Sequence, residues 1–248
     1  MNTTKLPKNL AIIGAGGIGS NLAELLMPAL IRLEITVILS FIDGDVIEEG
    51  NIGHQRYVKS EIGEKKVGAL YQRLNERPLP ELEAMKAKHE EILATSSRLT
   101  SAIETTMNTF LERKQSFLMP IEENLRHKDQ LSEFDMIIVC VDRPEPRRLV
   151  HNSGKPWIDL RCTGDGWMIL TSDSNPALVE KMTPDHEPKS CQIAGALENG
   201  NLEFGFAVAA AYGAQWVIQT LRGQPGPVQA MGSLTYGSFE FPTVEGSA

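Results

Sequence analysis

A glycine-rich turn near the beginning of the chain constrains the fold more than any other feature of the sequence. The apolar run at residues 10–13 leads into the segment GAGGIGS at residues 14–20, and apolar residues then recur at helical spacing up to Leu30. A second apolar run at residues 35–42 ends at Asp43. Strand, glycine turn, helix and strand form a βαβ unit, and near-continuous apolar strands are typical of a parallel sheet covered on both faces.

The remainder of the 248-residue chain continues this alternation of elements. The apolar patterns predict further helices at residues 62–74, 91–117, 121–131 and 204–221. They predict further strands at residues 82–89, 134–141, 156–160, 167–170 and 234–241. We expect one domain over residues 1–248, with a Rossmann-like, doubly wound and mostly parallel α/β sheet. A helical insertion at about residues 91–131, a mobile loop at about residues 171–190 and a C-terminal antiparallel portion complete the predicted organisation.

The composition excludes several classes of protein. No window approaches the ~20 uninterrupted apolar residues of a membrane helix, and the opening MNTTKLPKNL lacks the apolar stretch of a secretory signal, so we expect a cytoplasmic protein. Lys and Arg number 24 against 32 Asp and Glu, the net charge is −8, and no basic run marks a nucleic-acid groove. The cysteines Cys140, Cys162 and Cys191 form no C-x-x-C pair, and we therefore expect no structural zinc.

The glycine turn itself is typical of nucleotide binding. Gly14, Gly16 and Gly19 fill the pattern G-x-G-x-x-G between a strand and a helix, and Gly17 is a further glycine of the same turn. Such a turn lets the backbone approach a phosphate group and directs N–H groups and the helix dipole at it. Asp43, at the end of the second strand, offers a carboxylate that can accept both ribose hydroxyls. These features alone also permit an NAD-dependent Rossmann dehydrogenase.

Three further motifs follow along the chain in a definite order. They are N-x-x-x-Q at Asn51 and Gln55, G-x-x-K ending at Lys66, and D-x-x-x-x-R from Asp142 to Arg147. Together with the glycine turn and the D-x-D that begins at Asp43, this ordered set resembles the ubiquitin-activating-like adenylating enzymes of the ThiF/MoeB type. The resemblance extends from about residue 10 to residue 223, with an interruption at the predicted insertion. It implies that the chain is a single ThiF-type adenylation domain.

This resemblance implies an ATP site and a role for each motif residue. The implied roles are the ribose for Asp43, the phosphate side for Asn51 and Gln55, the ATP phosphates for Lys66, Mg²⁺ for Asp142, and closure of that last motif for Arg147. The chemistry of adenylation has matching requirements, because a carboxylate attacks the α-phosphate while pyrophosphate leaves. Magnesium and a lysine neutralise the charge that develops, and the protein contributes mainly positioning and electrostatics.

A cysteine late in the chain is a candidate nucleophile. The segment at residues 184–195 is similar to the loop of ThiF-type members that carries a cysteine for covalent linkage to the activated carrier. A thiolate at Cys191 would attack the acyl-adenylate if Lys189 or His186 lowers the pKa of the thiol. We expect the proline-rich loop before it to swing the thiol towards the α-phosphate. The alternative is a cysteine that serves only packing, which is what we expect of the other two cysteines.

The sequence departs from the family pattern in three ways. The usual arginine before the glutamine is His54, and Arg56 is the candidate substitute for its phosphate contact. No arginine precedes Arg32, so the N-terminal arginine that many members lend to a partner subunit is missing. The two C-x-x-C pairs that bind zinc in the family are also missing. The first two departures favour an alternative in which the chain is a degenerate adenylation domain that acts as a scaffold.

The motifs together predict an ATP- and Mg²⁺-dependent adenylyltransferase. By the resemblance, its substrate would be the C-terminal glycine carboxylate of a small ubiquitin-like or sulfur-carrier protein, a β-grasp protein ending in Gly-Gly. A thioester or acyl-disulfide at Cys191 would follow, and the enzyme would be a homodimer that binds neither nucleic acid nor membrane. The dehydrogenase alternative leaves Asn51, Lys66 and Asp142 without a role. The carrier and its pathway (thiamin, molybdopterin, protein conjugation, or plasmid or phage defence) stay open.

Overall fold

The computed structural model describes residues 9–75, 117–187 and 190–244, and within them eight strands form one sheet. The strands are β1 Asn9–Ile13, β2 Ile38–Ile42, β3 Phe117–Ile121, β4 Met136–Val139, β5 Trp157–Thr163, β6 Gly166–Thr171, β7 Gln229–Ser233 and β8 Gly237–Phe239. Their spatial order is β3-β2-β1-β4-β5-β6-β7-β8, parallel from β3 to β5 and antiparallel from β5 to β8. The predicted mostly parallel sheet with a C-terminal antiparallel portion is confirmed.

Helices cover both faces of this sheet. They are α1 Gly17–Arg32, α2 Lys66–Asn75, α3 Pro144–His151, α4 Pro176–Lys181 and α5 Gly205–Leu221, with short 3-10 helices at Glu49–Asn51, Lys59–Glu61 and Lys128–Leu131. Alternate residues of a strand point to opposite faces, so Leu10 and Ile12 join the core under α1, α2 and α5, whereas Ala11 and Ile13 join the core under α3 and α4. The sheet is therefore buried on both sides, which explains its near-continuous apolar strands.

Two glycines allow helices to lie unusually close to other backbone and core atoms. A Cβ atom on Gly19 of α1 would lie 1.9 Å from the carbonyl oxygen of Gly14, and a Cβ atom on Gly213 of α5 would lie 2.4 Å from Leu160 Cδ1. Neither position has space for a side chain. The third glycine of the G-x-G-x-x-G pattern thus sets the packing of α1 against the loop that follows β1.

The strand order places a crevice between β1 and β4. Chain connections run in opposite directions from this point, since β2 and β3 lie on one side and β5 on the other. Ligands of open α/β sheets bind at such a point, outside the carboxyl ends of the strands. The loops after β1, β2 and β4, which carry Gly16, Asp43 and Asp142, all lie at that edge.

Some predicted elements were wrong. The helix predicted at residues 121–131 is instead the end of β3 and the 3-10 helix Lys128–Leu131, and Pro120 lies within β3 because this edge strand needs hydrogen bonds on one side only. The loop predicted at residues 171–190 contains α4, and residues 234–236 turn between β7 and β8. The strand predicted at residues 82–89 and nearly all of the helix at 91–117 lie outside the described residues. None of the helices in the described ranges is long and apolar enough to cross a membrane.

Candidate active site

The glycine loop after β1 has one face against the sheet and one face open. Gly14 has a φ of 96°, and its N–H donates to the carbonyl oxygen of Ile42 at 2.9 Å. A Cβ atom on Gly14 would lie 3.1 Å from the backbone carbonyl of Cys140, whereas one on Gly16 would have no atom within 4 Å. The loop is therefore wedged between the ends of β2 and β4, and the backbone at Gly16, next to the N-terminus of α1, is free to approach a ligand.

The carboxylate of Asp43 binds directly to this loop. One oxygen accepts the N–H of Ala15 at 2.6 Å, and the other accepts the N–H of Asp45 at 2.8 Å. Burial raises the pKa of Asp43, while the two backbone hydrogen bonds and the charge of Lys66 oppose that shift. Tyr57 donates from its hydroxyl to the carbonyl oxygen of Ala15 at 2.7 Å and holds the loop from another side. Each carboxylate oxygen keeps a further lone pair that can accept a ribose hydroxyl.

Lys66 supplies a buried positive charge near the loop. It is the first residue of α2, and only 8% of its surface is exposed. Its Nζ lies 3.5 Å from an oxygen of Asp45, whose side chain is itself largely exposed. The charge of Lys66 opposes the rise in pKa that burial causes at Asp43 and adds to the fall that burial causes at His54, so the three side chains share one electrostatic environment. The lysine that the G-x-x-K motif predicted is thus brought to the glycine loop.

His54 and Gln55 bring two polar atoms without a hydrogen-bond partner in the described ranges to the neighbourhood of the glycine loop. The ring of His54 is buried, and its Cδ2 would lie 3.4 Å from a Cβ atom on Gly17. Burial and the charge of Lys66 lower the pKa of His54, so the ring is neutral at pH 7. Within the described ranges, His54 Nδ1 and Gln55 Oε1 have no hydrogen-bond partner. Buried polar atoms are seldom left unpaired, and a bound polar ligand would satisfy them.

Asn51 and Arg56 form hydrogen bonds with residues outside the glycine loop. The side-chain oxygen of Asn51 accepts the N–H of Glu48 at 3.0 Å and so caps a 3-10 helix. The Nε of Arg56 donates to Asn21 Oδ1 at 2.8 Å, one turn of α1 beyond Gly17. The guanidinium of Arg56 is exposed, and its remaining N–H groups can still contact an anion.

Asp142 and Arg147 line a cavity of about 340 Å³ beside the loop. Asp142 follows β4 and is exposed, whereas Arg147 on α3 is buried, pairs with Asp159 and donates to the carbonyl oxygen of Val141. The same fully buried Asp159 also binds Arg161, through its Nε at 3.0 Å. Arg147 therefore holds the backbone immediately before Asp142, and two arginines that share one buried carboxylate line the cavity beside Asp142.

The thiol of Cys191 also lines this cavity and lies at the N-terminus of α1. Its Sγ would lie 3.2 Å from a Cβ atom on Gly17, and it accepts the N–H of Ile18. A hydrogen bond from Cys162, the Ile18 N–H and the charge of Arg147 lower the pKa of Cys191 against the opposing effect of burial. The thiol thus packs against the glycine loop in this structure, and the predicted swing of the preceding loop towards the α-phosphate stays a prediction.

The residues around Cys191 differ in part from those that the sequence predicted. Cys162 is not a simple core residue, because it is only partly buried and lines the cavity together with Cys191. The two cysteines are far apart along the chain and belong to no spacing motif, so no sequence signal indicated that they line one cavity. His186 lines the same cavity, whereas Lys189, the other candidate for lowering the pKa of Cys191, lies outside the described residues.

The described part of the chain contains no group of three or more His, Cys, Asp or Glu side chains that could hold a metal ion. Asp142 is a single exposed carboxylate on the cavity. Mg²⁺ commonly binds through one or two carboxylates, with substrate phosphates and water completing its octahedron. The donor set therefore fits Mg²⁺ that arrives with a nucleotide, and it does not form a complete protein cage.

Comparisons with known proteins agree with this architecture. A profile described as the ThiF family matches residues 6–246. No curated protein sequence matches the chain. Among solved structures, E. coli MccB with ATP has a TM-score of 0.57 and 15% sequence identity, and the match covers 96% of this chain and 65% of that chain.

Two further solved structures give similar values. E. coli MccB with AMPCPP and MccA has a TM-score of 0.58 and 16% identity, with 97% of this chain and 66% of that chain covered. PaaA has a TM-score of 0.53 and 17% identity, with 94% and 62% covered. This chain thus spans slightly less than two thirds of the length of these proteins, and identities this low show a shared fold.

Proposed function

The chain belongs to the ThiF family, and on that premise we propose that it is an enzyme that uses ATP to adenylate a carboxylate. One observation carries the proposal: the loops after β1, β2 and β4 bring the open backbone at Gly16, the carboxylate of Asp43 and the carboxylate of Asp142 to one crevice, with the buried charge of Lys66 beside them. A glycine loop and Asp43 alone would suit any dinucleotide. A lysine and a further carboxylate in the same crevice are what the transfer of an adenylyl group requires.

We infer a separate role for each of these residues. Asp43 would accept the ribose hydroxyls, and the N–H groups around Gly16 and Gly17 would bind the phosphates at the N-terminus of α1. The substrate carboxylate attacks the α-phosphorus, a bond from its oxygen to phosphorus forms, and the bond to the pyrophosphate oxygen breaks. Lys66 stabilises the negative charge that accumulates on the leaving pyrophosphate. Mg²⁺, which Asp142 would hold, supplies further neutralisation of the phosphates when it is bound.

The phosphate site also needs a contact in place of the arginine that this chain lacks. We assign that contact to Arg56 rather than to His54. The imidazole of His54 is neutral at pH 7, whereas a guanidinium is permanently charged and presents several donors. Arg56 is held by Asn21 on α1 and has donors left for a phosphate oxygen.

The substrate that we propose is the C-terminal glycine carboxylate of a small ubiquitin-like or sulfur-carrier protein of the β-grasp type, ending in Gly-Gly. The motif resemblance to ThiF/MoeB-type enzymes supports this class. Crystal structures of E. coli MccB with ATP, and with AMPCPP and MccA, support a nucleotide and a second bound molecule for this fold. The cavity beside Asp142 offers a path for a carboxylate, because the buried Arg147 and the partly buried Arg161 line it.

A second step at Cys191 would follow adenylation. The thiolate attacks the carbonyl carbon of the acyl-adenylate, a thioester forms, and AMP leaves with the bridging oxygen. The contact of the sulfur with the Ile18 N–H and its lowered pKa support this role, since the thiolate is the nucleophilic form.

ATP–pyrophosphate exchange tests the proposal. The assay would use candidate small proteins ending in Gly-Gly that are encoded beside the gene, and a parallel titration would compare the binding of ATP with that of NAD. We expect exchange by the wild type, and we expect Lys66→Ala and Asp142→Ala each to lower it by about 10²–10³ because each removes a preorganised charge. Lys59→Ala and Asp129→Asn are matched controls at exposed positions and should exchange normally. Normal exchange by either site variant, or binding of NAD in preference to ATP, would refute the proposal.

A further inference from the structure

A fully buried carboxylate lies behind the wall of the cavity. Asp159 belongs to β5, and none of its surface is exposed. It is bound by three side chains at once, namely Arg147, His151 and Arg161. A buried carboxylate is costly unless its charge is paired and its oxygens accept hydrogen bonds. One arginine would suffice to balance the charge, so burial alone does not explain the second.

The first arginine joins Asp159 to the backbone immediately before Asp142. Arg147 lies on α3, and it donates from Nη1 to Asp159 Oδ1 and from Nη2 to the carbonyl oxygen of Val141. Residues 141–143 belong to no strand or helix. The guanidinium of Arg147 therefore gives this segment a support that the ladder of the sheet does not supply.

The second arginine joins the same carboxylate to the segment after α4. Arg161 donates to Asp159 Oδ2 from Nε at 3.0 Å and from Nη2 at 2.5 Å. It also donates from Nη1 to the carbonyl oxygen of Met182 and from Nη2 to the hydroxyl of Thr183, the latter at 2.8 Å. The chain continues from Thr183 to His186, which lines the cavity. One carboxylate is thus connected to two separate segments that reach the cavity.

We propose that Asp159 is a positioning residue that fixes Asp142 through Arg147 and fixes the segment at Thr183 through Arg161. The planar fork of a guanidinium can bind a carboxylate and a backbone oxygen at the same time, which an ammonium group does less well. Outer partners of this kind orient a metal ligand without contacting the metal. The part of the proposal that concerns Asp142 rests on the proposed function, whereas the part that concerns Thr183 does not.

Titration with AMPCPP tests the part that concerns Asp142. Full-length wild type and Asp159→Asn are titrated by calorimetry at a series of Mg²⁺ concentrations, and the affinity for AMPCPP is measured at each. The Mg²⁺ concentration that gives half of the gain in affinity should rise about 10-fold in Asp159→Asn, as for outer partners of other metal ligands. Asp142→Ala should lose most of this gain, and Asp159→Asn added to Asp142→Ala should change it no further. An equal effect of Asp159→Asn in both backgrounds would overturn the proposal.

Two further variants separate positioning from a loss of stability. Ile169→Ala removes apolar volume from the core under α1, α2 and α5, so it lowers stability without touching the arginines, and its Mg²⁺ dependence should equal that of the wild type. Arg147→Lys keeps a positive charge beside Asp159 but loses the fork that also holds Val141. It should reproduce the shift in Mg²⁺ dependence even if Asp159→Asn does not fold. A normal Mg²⁺ dependence of Arg147→Lys would overturn the proposal.

Hydrogen exchange of the protein without nucleotide tests the part that concerns Thr183. The N–H groups of Met182 and Thr183 donate to carbonyl oxygens of α4 at 2.9 and 3.0 Å. Arg161→Met leaves Asp159 paired with Arg147, and it should speed exchange at these two amides about 10-fold, because hydrogen bonds from a charged group are lost. Amides of β1 should exchange as in the wild type. Unchanged exchange at Met182 and Thr183 would overturn the proposal.

The two measurements distinguish this proposal from the proposed function. If Mg²⁺ does not raise the affinity of the wild type for AMPCPP, the proposed function fails, and the assignment of Asp142 fails with it. If the wild type responds to Mg²⁺ and both Asp159→Asn and Arg147→Lys respond equally well, only the positioning role fails.

Discussion

His151 illustrates how a single buried side chain can make the stability depend on pH. Its Nε2 lies 3.0 Å from an oxygen of the fully buried Asp159, and its ring lies 4.4 Å from that of Trp157. Burial, together with the charges of Arg161, Arg147 and Arg148, lowers the pKa of His151 to about 3. The neutral ring therefore donates its Nε2–H to the carboxylate. An unfolded histidine has a pKa of about 6.5, so the unfolded chain binds more protons here between pH 6.5 and pH 3.

Stability at this site should consequently fall as the solution is acidified below pH 6.5. The variant His151→Gln keeps an N–H donor but does not titrate. Between pH 7 and pH 5 we expect its unfolding free energy to fall by about 2 kcal/mol less than that of the wild type. Urea unfolding at the two pH values measures this difference, and His127→Gln, at an exposed histidine, is the matched control. Parallel pH profiles of His151→Gln and the wild type would contradict the neutral ring.

The sequence predicted candidate site residues, but it did not predict the contacts that those residues make. Motif order indicated Asp43, Lys66 and Asp142, because each follows a strand or begins a helix at the same edge of the sheet. The hydrogen bond from the Ala15 N–H to Asp43 and the position of Cys162 and Cys191 on one cavity could not be predicted. Such contacts depend on the exact packing of distant segments, which no local spacing encodes.

At the scale of elements, two glycines of the same loop are needed for different reasons. Gly19 is needed for packing, whereas Gly16 leaves space for a ligand. A Cβ atom on Gly19 would lie 1.9 Å from the carbonyl oxygen of Gly14, whereas one on Gly16 would meet no atom within 4 Å. Gly19→Ala should destabilise the fold by about 1–3 kcal/mol or more, because α1 must move away from the loop.

Gly16→Ala should behave differently. Its unfolding free energy should stay within about 0.5 kcal/mol of the wild type, because a Cβ atom there would displace nothing. Its affinity for ATP should nevertheless fall, because the added methyl group occupies the space through which a phosphate reaches the backbone. Urea unfolding and ATP titration of both variants measure the two effects. Unchanged ATP affinity in Gly16→Ala would show that the phosphates bind elsewhere.

The segment that carries Cys191 gives a prediction about reaction order. Adenylation uses the carboxylate of the carrier as the nucleophile, so no protein thiol is needed until an acyl-adenylate exists. Cys191→Ala should therefore retain ATP–pyrophosphate exchange but lose any thiol-sensitive covalent adduct with the carrier on a non-reducing gel. Exchange by the same variant is the internal control for folding. If the wild type forms no adduct with a carrier that supports exchange, Cys191 has no role in transfer.

The elements themselves could be predicted where both faces of the sheet are buried, and less well at its edges. β1, β2 and β4 are apolar throughout because helices cover both sides, and all three were predicted. β3 and the hairpin of β7 and β8 lie at or near the two edges, where exposure and a proline weaken the apolar pattern. Local periodicity carries no information about which strand a segment will pair with, and this explains why residues 121–131 were predicted as a helix.

At the scale of the whole molecule, we expect a two-fold homodimer, as the resemblance to ThiF/MoeB-type enzymes implies and as is commonest among assemblies. The glycine loop, Asp43, Lys66 and Asp142 all belong to one chain, so we expect each nucleotide site to be complete without residues of a partner subunit. Light scattering over a range of concentrations, combined with the exchange assay, tests the assembly. A monomer that is fully active when dilute would contradict it.

The proposed reaction has a substrate carboxylate attack the α-phosphorus of ATP at the crevice between β1 and β4. Transfer of ¹⁸O from the carboxylate to AMP would show this attack. A carrier labelled in both oxygens of its terminal carboxylate is incubated with ATP and the enzyme, and hydroxylamine is added to cleave the acyl-adenylate at its carbonyl carbon. The released AMP should contain one ¹⁸O atom, and Asp142→Ala should yield almost no labelled AMP. AMP without ¹⁸O, or ADP as the nucleotide product, would contradict this reaction.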